Sequence, residues 1–180
     1  AKQLPENRNL KPPVMVRTHG INIARWHNEG MAYAWDLPEV THALWLESDV
    51  RITEHSVDVL ARRSEQYSLV GPDFYDRVPP GTYQLRTQPG PCDVHDRIAQ
   101  CSMVARRNYL PMDEGFAWWL EAEDLEWRHR ALGGAAVIGS AKATHPFSGS
   151  TPLGNDPIRD AAIEQGRRYF KEKWGYNAPI

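Results

Sequence analysis

Residues 21–50 read INIARWHNEGMAYAWDLPEVTHALWLESDV. Ile23, Trp26 or His27, Gly30 and Ala34 recur at helical spacing, which predicts an amphipathic helix from Ile21 to Trp35. Asp36-Leu37-Pro38 stops it. Thr41 to Leu46 (THALWL) then forms a compact apolar run of strand length, ended by Glu47-Ser48-Asp49. A helix followed by a buried strand is a unit of an α/β sheet, and ligands bind such sheets beyond the carboxyl ends of the strands. Two carboxylates at i and i+2 past a strand can reach one hard cation, and Mg²⁺ and Mn²⁺ favour such oxygen ligands. Most acidic turns are merely solvated, so the rest of the chain must decide.

Working outward, Thr53 or Glu54 starts a second helix, SVDVLARRSEQ, with Val57, Leu60 and Ala61 facing inward. Tyr67 to Val70 predicts a short strand closed by Gly71-Pro72. Residues 71–91 hold five Pro and three Gly and predict a long irregular loop of the functional or mobile kind. Ile98 to Ala105 predicts a buried strand, and Ala135 to Gly139 a short one that leaves His145 in the loop behind it. A last helix spans about Asp156 to Lys173, carrying Ile158, Ala162, Ile163, Tyr169 and Phe170. Ahead of Ile21, residues 1–13 are polar and Pro-punctuated, an arm or linker, and Val14-Met15-Val16 predicts a short strand. The alternation gives an α/β sheet in a single domain over residues 14–180.

Composition narrows the function classes. A chain of 180 residues can build one substantial core. A formal charge of −2 supplies no global field for a polyanion, which argues against nucleic acid as a partner. Cys92 and Cys101 are too few for a disulfide scaffold and suit a reducing compartment, and no apolar run reaches the ~18 residues of a membrane span. These features predict a cytoplasmic protein. Seven Trp is a high count, and Trp often walls pockets.

The densest chemistry lies in Met112 to Arg130, MDEGFAWWLEAEDLEWRHR. On a helix Leu120, Glu123 and Asp124 fall at i, i+3 and i+4, so at least one carboxylate shares a side with Leu120. A carboxylate held beside apolar surface is disfavoured as an anion, which suits it to accept a proton. Solvated i,i+4 pairing is the plainer use of such a helix. Trp118 and Trp119 can offer aromatic faces to a sugar or fill a core. Arg106, Arg107, Arg128 and Arg130 can bind phosphate or neutralise the neighbouring acids. His145 becomes interesting as the third member of a carboxylate/imidazole site, because neutral imidazole also binds Mn²⁺. Cys92, His95 and Cys101 lack the second close pair of a structural zinc site, and Cys101 beside Met103 reads as a small buried hydrophobe. Serine-hydrolase, P-loop and dinucleotide-loop patterns are absent.

Taken in order, these pieces resemble the inverting, nucleotide-sugar-dependent glycosyltransferases of family 2, which have the GT-A fold. Asn28-x-Gly30 and Ala43 to Val50 resemble the approach to that family's Asp-x-Asp motif, with Glu47 in place of the first Asp. Cys101 to Arg107 and Met112 to Phe116 resemble its acceptor-side strand and turn, and Glu123-Asp124 its Glu-Asp motif. His145 with Gly149-Ser150 resembles its late His loop, and Tyr169 to Gly175 its closing helix. The resemblance runs from about residue 14 onward and implies a GT-A-like, Rossmann-related mixed sheet flanked by helices. It implies a divalent cation, Mn²⁺ or Mg²⁺, held by Asp49, Glu47 and His145 against the diphosphate of a nucleotide-sugar donor. Asp124 or Glu123 then serves as base toward an acceptor hydroxyl, with Asn28, Trp118, Trp119 and Arg128 about the substrates. Taking Arg130 as the family's following Arg makes Asp124 the base; taking Arg128 puts Ala122 there and leaves Glu121 or Glu123.

Family members begin with two further strands that bind the nucleotide base, and nothing before Val14 resembles them. A fragment, a second chain that completes the sheet, and a reduced form of the enzyme all fit that pattern. Two other functions fit the same residues: a non-catalytic GT-A-like module that binds sugar or protein, and a metal-dependent phosphohydrolase.

Overall fold

The computed structural model describes residues 22–47, 50–78, 82–85, 87, 89–91, 98, 101–116, 120–145 and 157–177. The arm 1–13 and the strand expected at Val14 to Val16 lie outside them. Helix α1 (Ile23–Trp35) forms where its spacing predicts, capped by Asn22, whose side-chain oxygen accepts the Arg25 N–H at 2.8 Å. Strand β1 (His42–Leu46) follows, then the two-residue β2 (Arg51–Ile52). Helix α2 (Glu54–Arg63) starts at an N-cap Thr53, as expected. It buries Ser56 and Val59 as well as Leu60, while Val57 and Ala61 sit at the margin.

The remaining strands are β3 (Leu69–Val78), β4 (Thr82–Leu85), β5 (Gly90–Pro91), β6 (Cys101–Ala105) and β7 (Ala135–His145). Helix α3 (Glu121–Leu132) precedes β7, and α4 (Pro157–Trp174) follows it. The sheet runs β1-β6-β3-β7-β2, with β4 paired to β3 and β5 to β7. Strand β6 is antiparallel to both β1 and β3, and β3 is parallel to β7. Hence β1, β3 and β7 all point the same way. The class is the expected α/β, a mixed sheet with helices against both faces. Successive residues of β3 and β7 enter opposite cores: Val70 and Ala136 pack with Val59 and Leu60 of α2, whereas Leu69 and Ala135 pack with Met31 of α1.

Two strands are longer than their punctuation suggested. Gly71-Pro72 does not end β3, which continues to Val78, and much of the expected loop is β3, β4 and β5. Gly71 is there for close approach: a Cβ at that position would lie 2.3 Å from Ile98 Cγ2 and 3.1 Å from the Cys101 carbonyl oxygen. Pro72 has no N–H to give a ladder, and the β3/β7 register slips directly after it, from Pro72 opposite Ile138 to Asp73 opposite Lys142. The Lys142 N–H donates to Ser56 Oγ at 2.9 Å, so α2 satisfies a donor at the irregularity. Strand β7 passes through Gly139 for the same reason, and His145 is its last residue and buried, not a loop residue.

The stretch from Met112 opens on a turn, as expected, but Leu120 stands outside the helix. Residues 112–116 are not helical, and α3 begins only at Glu121, behind a left-handed Leu120 with φ 69°. That conformation costs about 1–2 kcal/mol for a residue with a Cβ. Leu120 is buried against Phe116 and Phe170, worth about 1.5–3 kcal/mol, so packing can hold it there.

Gly71→Ala should destabilise the fold by about 1–3 kcal/mol through overpacking against Ile98 and the Cys101 backbone. A fall in the urea midpoint at unchanged m-value would show it; an unchanged midpoint would mean that Ile98 moves aside freely.

Candidate active site

Three parallel strands deliver their carboxyl ends to one end of the sheet. Beyond β1, the Val50 N–H donates to the Glu47 carbonyl at 3.1 Å. Val50 is buried with Phe74 of β3 and Ala143 of β7. Asp76 on β3 and His145 on β7 are register partners, their side chains joined at 3.0 Å between Asp76 Oδ1 and His145 Nδ1. Glu47 follows β1 and His145 closes β7, so two of the predicted cation ligands stand at the carboxyl ends of strands that point the same way. Asp49, the third, lies outside the described residues, as do Trp118 and Trp119.

Carboxylate oxygen and imidazole nitrogen together suit Mn²⁺ and, less well, Mg²⁺. Among the described residues no three His, Cys, Asp or Glu side chains cluster closely enough to hold a metal ion. The chemistry of Glu47 and His145 therefore fits part of such a site.

The α3 carboxylates have divergent surroundings. Asp124 is fully buried, and both of its oxygens are engaged. Arg128 Nε donates to Oδ2 at 2.9 Å, while Trp174 Nε1 donates to Oδ1 at 2.9 Å and Lys173 Nζ stands 2.8 Å from the same oxygen. Lys173 also donates to Asp113 Oδ2 at 2.5 Å, and Tyr169 O–H donates to that oxygen at 3.1 Å. Burial would push the Lys173 ammonium down, but its hydrogen bonds to Asp113 and Asp124 outweigh that and raise its pKa. Burial likewise presses Asp113 upward, yet Lys173, the Gly115 N–H and Tyr169 hold it below its ordinary value. Glu123 sits one residue before Asp124 on the first turn of α3 and is partly exposed. Glu121 is buried.

Arg128 keeps one polar atom in reserve: its NH2 group is buried without a hydrogen-bond partner among the described residues. Asn28 has no such reserve. Its side-chain N–H donates to the Met112 carbonyl at 2.9 Å and to Glu114 Oε1 at 3.1 Å, and its oxygen accepts the Met112 N–H at 2.7 Å. Asn28 therefore splints α1 to the segment 112–116. Asn22 does the same from the cap of α1, donating to the Glu114 carbonyl at 3.0 Å.

Glu126 and two histidines stand out only in three dimensions. Glu126 accepts the Ile98 N–H at 2.8 Å and pairs with Arg130, yet burial still pushes its pKa up to about 7. Burial depresses His27 and His129 to about 4. With Trp45, Ser102 and Tyr109, both histidines line a cavity of about 10 Å³, room for one water and no substrate. Burial also raises the Cys101 thiol to about 12, in keeping with a packed, unreactive cysteine. Glu126, Asp76, Asp113 and Lys173 were not singled out from the sequence. Their partners lie far along the chain, except for the Gly115 N–H on Asp113 and the Glu126–Arg130 pair at i,i+4, and that spacing alone does not distinguish a buried pair from a solvated one.

Compared with models of known protein families and with curated proteins, the chain matches none. No helix among the described residues is long and apolar enough to cross a membrane.

Two stability experiments follow from these surroundings. Asp124→Asn leaves Lys173 and Arg128 facing a neutral amide in a buried site and should cost about 3–5 kcal/mol, whereas Glu123→Gln should change stability little. Equal, small effects in urea denaturation would deny Asp124 its anchoring role. The second concerns pH. Glu126 has a raised folded pKa, so its contribution is full below 4.5 and lost as pH rises through about 7. His27 and His129 have lowered folded pKa values, so theirs is present above 6.5 and lost as pH falls toward about 4. The two histidines oppose the one glutamate. Glu126→Gln should therefore steepen the loss of stability between pH 6.5 and 4.5 by about 1.4 kcal/mol per pH unit. An unchanged slope would mean that Glu126 titrates at its ordinary value.

Proposed function

We propose that the chain is a metal-dependent glycosyltransferase of the GT-A kind. It moves a sugar from a nucleotide-sugar donor to an acceptor hydroxyl with inversion. The observation that carries this reading is that Glu47, directly after β1, and the Asp76–His145 pair stand toward the carboxyl ends of strands that run parallel. The resemblance of the ordered motifs to family 2 supplies the reaction class.

On this reading Glu47 and His145, together with Asp49, hold Mn²⁺ or Mg²⁺. Such a cation would supply positive charge against the diphosphate of a nucleotide-sugar donor. Glu123 is the better placed of the two predicted bases, because a base must reach the acceptor hydroxyl and Asp124 has no exposed surface. Asp124 then fixes the first turn of α3 against α4, so that Glu123 is held in place. The sealing of Asp124 also favours a second reading, a non-catalytic GT-A-like module that binds sugar or protein.

A thermal-shift screen of UDP-, GDP- and dTDP-sugars, each with and without Mn²⁺ or Mg²⁺, tests the reading. One nucleotide class should raise the melting temperature in a metal-dependent way, by mass action on the folded state. With that donor and a hydroxyl acceptor, Glu123→Gln should lower transfer by about 10²–10⁴-fold while leaving the shift intact. A flat panel would sink the transferase, and a shift without turnover would leave the binding module.

A further inference from the structure

We infer that Asp76 is a positioning residue, which holds His145 in its Nδ1–H tautomer and so makes Nε2 the ring atom that carries the lone pair. An ionised carboxylate only accepts hydrogen bonds, so at 3.0 Å the Nδ1 of His145 must donate to Asp76 Oδ1. A neutral imidazole whose Nδ1 bears the proton has its basic lone pair on Nε2.

The backbone holds both partners to this contact. Asp76 and His145 are paired residues of the parallel β3/β7 ladder, and β3 is held on its other side by β4, with Asp76 opposite Gln84. The two side chains are only 17% and 11% exposed. Water competes little for such a pair, unlike a surface ion pair. Phe74 adds an apolar neighbour, its ring centroid 6.1 Å from that of His145. A carboxylate behind a metal-binding or proton-accepting histidine sets ring orientation and raises basicity, and its loss commonly costs about 10–100-fold in affinity. What Nε2 binds rests on the function proposed above; the tautomer does not.

The test separates the two. In histidine ¹⁵N-labelled protein without metal, at about pH 8.5 where an ordinary imidazole is neutral, long-range ¹H–¹⁵N spectra report each ring's tautomer. The signal that disappears in His145→Gln assigns the residue. Wild type and Asp76→Asn, whose amide oxygen can still accept from Nδ1, should both show the Nδ1–H form; Asp76→Ala should move toward Nε2–H. Unchanged signals from the other histidines establish that the variants are folded. An Nε2–H ring in wild type, or no tautomer change in Asp76→Ala, overturns the inference. A Mn²⁺ titration supplies the second readout: Asp76→Ala should weaken binding by about 10–100-fold and Asp76→Asn much less. If the tautomers behave as stated but His145→Gln binds Mn²⁺ as tightly as wild type, the positioning stands and the metal role given to His145 fails.

Discussion

A carboxylate with no exposed surface must be matched on each oxygen, and Asp124 meets that demand with groups from two helices. The Lys173 ammonium is the shared element, since it reaches Asp113 as well as Asp124. One cation thereby joins α4, the first turn of α3 and the segment 112–116. An apolar cluster seals the same junction: Trp127 meets Phe170 edge-on at 5.1 Å, and Phe116 meets Tyr169 at 4.7 Å. Desolvating several charges is costly, and dense pairing is what makes it tolerable. The junction is thus better understood as a device for geometric definition than as a source of net stability. Asn22 and Asn28 carry that definition onward to α1.

The sheet solves a different problem. If Asp76 is to meet His145, β3 and β7 have to stay in register past Pro72. The chain accommodates this with an irregularity at Pro72/Asp73 and a serine from α2 that takes up the Lys142 N–H. Asp76 and His145 are aligned because the ladder resumes beyond that point.

These two devices also explain what could be read from the sequence. Helices α1, α2 and α4 and strands β1 and β6 were legible because their signals are local: apolar spacing, the Thr53 cap, and a short apolar run closed by acids. Strands β3 and β7 were legible only at their starts. Gly71, Pro72 and Gly139 carry the local signature of turns, and only the approach of Ile98 and the slipped ladder give them another use. The carboxylates of α3 were identifiable as a group, but not their division of labour. Whether Asp124 is a base or an anchor depends on Lys173 and Trp174, some fifty residues away. That Glu47 and His145 both stand at carboxyl ends of strands pointing the same way follows from the ladder directions, which no local pattern contains.

The junction at Asp124 also bears on the order in which the chain acquires its shape as it is made. Synthesis releases the chain from its N-terminal side. Every strand among the described residues precedes α4 in the chain, so the cores around β1, β3, β6 and β7 can consolidate before Lys173 and Trp174 have left the ribosome. Until then Asp124 lacks two of its partners, and sequestering it from water would leave a poorly matched charge. The start of α3 is therefore expected to stay hydrated on the nascent chain and to close only when α4 docks. Assembly of this corner of the molecule would be a late event, timed by translation itself.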